Sequence, residues 1–178
     1  MMLYQIEFAI LYALQSLHNP WLDLVMTRIT GLGDHGIIWI LIGVVLFCIP
    51  KTRKMGIGVL LSLGVGLLLG NMILKNFVER PRPCWIDPSI FLLIQNPRDF
   101  SFPSGHTLAS FEGAISIWLY HKKLGIPFLI LAVLIAFSRL YLFVHFPTDV
   151  LGGAILGFLI ALLVHRLIER NSCVEKNT

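Results

Sequence analysis

Long apolar runs separated by short charged connections set the pattern of this chain. Residues 55–74 carry no charged side chain, and a bilayer-spanning helix needs about 20 mostly apolar residues. Residues 36–50, 105–120, 125–144 and 148–168 give four more apolar segments, interrupted by Glu112, Arg139, Asp149 and His165. Charges inside such segments face a bundle interior or a water-filled cavity. The pattern predicts an all-α integral-membrane helical bundle of five spans.

The first 33 residues read differently. Leu3–Leu17 is helical in pattern but reaches only about 22 Å at 1.5 Å per residue, short of a roughly 30 Å hydrocarbon core. It also carries Gln5, Glu7 and Gln15. Trp21–Thr30 is a second amphipathic stretch, with Asp23 and Arg28. Residues 1–33 are therefore expected as N-terminal interfacial helices, 34–170 as a transmembrane domain and 171–178 as a cytoplasmic tail. Insertion of residues 3–18 would instead make six spans. No cleavable signal peptide is expected, since Glu7 stands where a basic n-region would lie.

Composition supports a membrane protein. Of the 178 residues, 56% are hydrophobic and 13% charged, with mean hydropathy +0.80; soluble domains carry about 25% charged residues. The net charge of +4 forms no solvated basic stripe, so no nucleic-acid partner is expected. Placement of charge says more. Lys51–Lys54, His121–Lys123 and Arg166–Arg170 hold seven Lys/Arg and one acid, Glu169, which makes these connections cytoplasmic. The opposite helix ends, at residue 35, 76–104 and 145–147, then face outward. In this topology Cys84 lies outside while Cys48 and Cys173 lie inside, so no intramolecular disulfide is expected. No CxxC spacing or carboxylate cluster suggests a metal. Small residues recur every fourth position at Gly58, Ser62, Gly66 and Gly70, and at Gly153, Gly157 and Ala161, a pattern for close helix packing in lipid.

Three polar blocks stand at the outward ends of these runs. Lys75 is followed after six residues by Arg82-Pro83. Pro103-Ser104-Gly105-His106 precedes an apolar segment. Ser138-Arg139 is followed after five residues by His145 and after three more by Asp149. Three cations, two histidines and an aspartate at one membrane boundary suit phosphoryl transfer, which depends on positioning and charge stabilisation. Ser104 stands where an N-cap is expected, and the helix behind it favours an anion at its first N–H groups. His145 and Asp149, at i and i+4, share a face if helical; alternatively Pro147 starts the helix with Asp149 in its first turn.

All three blocks, complete and in order, resemble the signature of the type 2 phosphatidic acid phosphatase superfamily, over roughly residues 20 to 168. The resemblance implies catalytic roles for His145, His106 and Asp149. His145 would be the nucleophile that becomes phosphohistidine, oriented through its other ring nitrogen by Asp149. His106 would protonate the leaving group and then activate water. Lys75, Arg82, Ser104, Gly105 and Arg139 would bind phosphate. No cofactor is implied, and three cations with backbone donors can replace a metal. The expected substrate is a lipid phosphate or diphosphate in the outer leaflet of the cell membrane. The small size resembles bacterial undecaprenyl-diphosphate phosphatases, which serve cell-wall synthesis and bacitracin tolerance. Phosphatidylglycerol phosphate or phosphatidic acid is the alternative substrate.

Several residues fall outside the signature. Arg80 reads as a solvated or headgroup-contacting side chain. Glu112 is open to a structural or a substrate-selecting role. The segment Asn76–Pro103, with its apolar Ile90–Ile94 patch, is expected to lie over the site and guide a lipid tail. A transporter would need a polar path to the cytoplasm, and the cytoplasmic halves of the spans hold almost no polar residues. Transfer of the phosphoryl group to another lipid instead of water remains open at this stage.

Overall fold

The computed structural model describes residues 2–174, with side chains through residue 171. Of the expected tail at 171–178, residues 171–174 continue the last helix and 175–178 lie outside the described residues. Every regular element among the described residues is helical. Helix α1 (Met2–Gln15) leads to α2 (Pro20–Leu32), whose start is fixed by Asn19 accepting from the Leu22 N–H and by Pro20 in the first helical turn. A 3₁₀ turn, Asp34–Gly36, joins α2 to α3 (Ile37–Cys48). His35 and Gly36 both take positive φ, 52° and 67°, and the two helices meet at a 42° bend.

Helix α4 (Arg53–Gly66) runs on through a π-helical stretch, Leu67–Leu74, into the short α5 (Lys75–Val78). The connection that follows contains α6 (Pro83–Ile86). The long helices α7 (Gly105–Tyr120), α8 (Lys122–Tyr141) and α9 (Pro147–Val174) complete the bundle.

Helix α7 is the axis of the fold. Its residues Leu108, Ser110, Glu112, Ala114 and Ile117 are all buried, enclosed by α4, α8 and α9. Both small-residue stripes face it. A Cβ on Gly153 or Gly157 would come within 2.8 Å of the Ser104 or Leu108 carbonyl oxygen, and Gly70 abuts Leu108. Such close backbone approach is the expected use of these stripes.

Three helical stretches are long and apolar enough to cross a membrane: Arg53–Ile86, Lys122–Tyr141 and Pro147–Asn171. The bent pair α2 and α3 makes a fourth if it is one span. The five-span expectation holds to that extent. With 12 and 16 residues, α3 and α7 reach about 18 and 24 Å. Helix α7 buries most of its surface against neighbouring helices, whereas α3 leaves Ile37, Leu41, Val44 and Val45 exposed.

The ends of α4, α7, α8 and α9 that carry the three polar blocks converge. At the other end Lys54 and Glu169 lie 3.7 Å apart, bringing two of the basic connections together. Helix α1 packs beneath the α8–α9 turn. Phe8 meets Phe143 and Phe146 at ring separations of 6.1 and 5.3 Å, and Gln15 donates to the Tyr141 carbonyl at 2.9 Å. Ile90, Leu92, Leu93 and Ile94 of the long connection pack on the same aromatic cluster. The connection therefore closes over this end of the bundle.

Candidate active site

The start of α5, just past the π-helical stretch, delivers Lys75, the start of α7 delivers Gly105 and His106, and the end of α8 delivers Arg139. Together with Arg82 and His145 they line one cavity of about 1610 Å³. The three cations are buried, each at most 7% exposed. Residues that lie up to 70 positions apart in the chain thus surround one space.

His145 sits in the turn between α8 and α9 and is 1% exposed. Its Nε2 lies 3.0 Å from Arg82 Nη1, at the cavity. Burial, and then the charges of Arg82, Arg139, Lys75 and His106, push its pKa well below the ordinary histidine value. The ring is therefore neutral at neutral pH and keeps a nitrogen lone pair.

Asp149 occupies the first turn of α9, behind Pro147. Its Oδ2 accepts from the Phe146 N–H at 2.8 Å, a bond from the helix's first turn back to its cap. The expected direct bond to His145 is not made. Oδ2 lies 3.7 Å from His145 Nδ1, beyond hydrogen-bond reach, and the Ser101 hydroxyl contacts both from one side. That hydroxyl donates to Asp149 Oδ2 at 2.5 Å and lies 3.4 Å from Nδ1.

Ser104 also departs from expectation. It holds the N-cap position of α7, but its side chain makes no capping bond and accepts instead from Thr107 Oγ1 at 3.0 Å. It is fully buried, its N–H donates to the Asp149 carbonyl at 3.1 Å, and it is not among the cavity-lining residues. Its work is to tie the second block to the third. Gly105, in contrast, does line the cavity.

Arg80 is not solvated. Its Nη1 pairs with Asp149 Oδ1 at 2.6 Å and donates to Thr148 Oγ1 at 2.6 Å, while Nη2 pairs with Glu7 Oε2 at 2.5 Å. The guanidinium lies 4.2 Å from the Phe146 ring centroid. Glu7 also accepts from the Thr148 N–H and hydroxyl. A network thus runs from α1 through Arg80 to Asp149.

Three further residues touch the site without belonging to the blocks. Asp99, in the long connection, pairs with both Lys75 and Arg82. Burial alone would raise its pKa, but the Lys75 hydrogen bond and the charges of Arg82 and Lys75 outweigh this and hold the carboxyl well below the usual range. Its two carboxylate oxygens each take one of these cations, Oδ2 that of Lys75 and Oδ1 that of Arg82. Asp34, from the α2–α3 bend, lies 2.9 Å from His106 Nε2. Thr30 accepts from Arg139 Nη1, leaving Arg139 Nε without a partner.

The family model of the PAP2 superfamily matches residues 56–173. The chain belongs to the PAP2 superfamily. As a PAP2 protein it is similar to phosphatidylglycerophosphatase B of Bacillus subtilis, with 38% identity over 169 residues, covering 86% of this chain and 79% of the relative. It is also similar to the undecaprenyl-diphosphatase BcrC of Bacillus subtilis, at 32% identity over 85% of this chain and 78% of the relative. The crystal structure of the PAP2-type phosphatidylglycerolphosphate phosphatase from Bacillus subtilis superposes with a TM-score of 0.78 at 35% identity, covering 94% of this chain and 86% of that one. This PAP2 chain is accordingly a membrane lipid phosphatase, a phosphoric ester hydrolase.

Proposed function

We propose that this chain hydrolyses a lipid diphosphate at the outer face of the cell membrane through a phosphohistidine on His145. The carrying observation is a buried histidine whose Nε2 meets a cavity edged by Lys75, Arg82 and Arg139. Nε2 attacks the terminal phosphorus, and the bond from phosphorus to the bridging oxygen breaks. His106 gives its proton to that oxygen. The three cations hold the equatorial oxygens as charge develops. Asp149 and Ser101 hold the Nδ1 side, so the ring keeps its tautomer while it carries positive charge. Water then attacks the phosphorus, His106 takes its proton, the P–N bond breaks and phosphate leaves. No step requires a metal ion.

The small bundle and a relative named undecaprenyl-diphosphatase favour an isoprenoid diphosphate as substrate, with undecaprenyl phosphate and phosphate as products. That activity would serve cell-wall synthesis and counter bacitracin. Lys/Arg placement supports the outward-facing site and the inside C-terminus. The aromatic docking of α1 supports an N-terminal segment lying at the membrane surface. A second reading, a phosphate carried on glycerol, is favoured by Glu112 and by the relative named phosphatidylglycerophosphatase B.

Phosphate release by the purified chain in detergent with excess EDTA tests the reading. Release from undecaprenyl diphosphate that disappears in His145→Ala is expected. Release that needs added divalent metal, or that survives His145→Ala, overturns it.

A further inference from the structure

His106 has two tasks in the proposed chemistry, and they need opposite protonation states. It must carry a proton when the leaving group departs and lack one when water attacks. Lys75, Arg82, Arg98, Arg139, His35 and His145 line the cavity with it, and positive neighbours oppose a further positive charge on the ring. Asp99 offsets Lys75 and Arg82, but Arg139 meets a hydroxyl, that of Thr30, rather than a carboxylate. Glu112, which also lines the cavity, starts about 9 Å further along α7. The carboxylate that touches the ring is Asp34.

Asp34 Oδ1 lies 2.9 Å from His106 Nε2, and the Asp34 side chain makes no other hydrogen bond or ion pair among the described residues. The bend between α2 and α3 is shaped to bring it there. His35 and Gly36 turn left-handed at φ 52° and 67°, a conformation that costs a histidine energy and persists mainly at functional sites. A Cβ on Gly33 would lie 2.8 Å from His106 Cδ2, so the backbone just before Asp34 packs directly against the Nε2 edge of the ring. The other nitrogen, Nδ1, has no partner among the described residues and is left for the substrate.

We propose that Asp34 is the positioning residue of the acid–base histidine: it accepts from Nε2–H in both protonation states, so that Nδ1 alone gives and takes the proton. In the first step the Nδ1 proton passes to the bridging oxygen, and the N–H electron pair stays on nitrogen. In the second step that lone pair takes a proton from the attacking water and the imidazolium is restored. Asp34 supplies the negative charge that the imidazolium needs, as aspartate does for histidine in hydrolase triads. The inference rests on the phosphatase reading. Asp34 itself lies outside the three signature blocks and before the family match, which begins at residue 56.

The test follows kcat/KM against pH for full-length protein in detergent, with undecaprenyl diphosphate or phosphatidylglycerol phosphate, whichever it hydrolyses. The Asp34 side chain is 59% exposed, so its substitution spares the packed core. The basic limb of the profile reports loss of the His106 proton. Asp34→Asn removes the charge that favours the imidazolium, so this limb should move toward acid by about one pH unit. Asp34→Glu, which keeps the carboxylate, should largely restore it. A second comparison uses an alkyl phosphate and an alkyl-nitrophenyl phosphate with the same tail. The alkoxide needs a proton in order to leave, and the nitrophenolate does not. Asp34→Asn should lose roughly tenfold or more in kcat/KM on the first and little on the second. A merely structural role would lower both alike and leave the limb in place. An unmoved limb, or equal losses on the two probes, overturns the role of Asp34 and leaves the phosphatase reading standing. Release from neither lipid by wild type overturns both.

Discussion

Arg82 grips Asp99 at two points: Nε donates to its backbone carbonyl and Nη2 to its carboxylate, each at 2.7 Å. The same arginine reaches His145 and the Val144 carbonyl with Nη1. A loop carboxylate thus occupies an arginine that the proposed reaction assigns to phosphate. Asp99→Asn keeps the shape and removes the competing charge. Vanadate, which mimics pentacoordinate phosphorus, should then inhibit several-fold more tightly, since charged hydrogen bonds to an anion are the strong ones. An unchanged inhibition constant would show that phosphate binds beside Asp99 rather than in its place.

The two histidines should fail differently. His145→Ala should form no covalent intermediate. His106→Ala should lose about 10²–10⁴-fold in turnover, the usual worth of a general acid–base. It should also accumulate acid-labile phosphohistidine, because the water step has lost its base. Labelling with terminally ³²P-labelled substrate reads both. Absence of label in His106→Ala, under conditions where wild type turns over, would be the contrary result.

Acidity should reach the nucleophile late. The pKa of His145 is depressed, so the reactive neutral ring persists as pH falls below the ordinary value of about 6.5. A limb of the kcat/KM profile set by His145 should therefore lie on the acid side of that value. Arg82→Ala removes a neighbouring positive charge, which should move that limb toward neutral pH. A limb above 6.5 in wild type would contradict the assignment.

Arg80 should matter for stability before it matters for chemistry. Arg80→Leu leaves Glu7 and Asp149 buried without their cation. Removing one partner of a buried ion pair costs about 3–5 kcal/mol. A clear fall in Tm in detergent is expected, partly restored in the Glu7→Leu/Arg80→Leu pair. An unchanged Tm would mean that water replaces the guanidinium.

The chemistry-bearing blocks were legible because each carries its residues at fixed local spacing beside a turn. Of the two readings left open for His145 and Asp149, the one in which Pro147 starts the helix is the one α9 takes. Arg80 was not legible. Beside Pro81 it looks like any surface arginine, and only folding brings it Glu7 from 73 residues away and Asp149 from 69. Ser101 and Asp99 are hidden for the same reason, since a loop's path over a bundle is not written in its periodicity. Ser104 shows the limit of cap statistics: Thr107, one turn on, offers its hydroxyl a partner inside the fold.

The bend between α2 and α3 has a practical meaning for anyone dividing this protein. The family match begins at residue 56, after that bend. A fragment cut there would retain all three signature blocks. It would lack Asp34 against His106, Thr30 against Arg139 and Glu7 against Arg80. The opening third of the chain is thus the counterpart wall of the reaction chamber, and swapping it between relatives would exchange part of the catalyst.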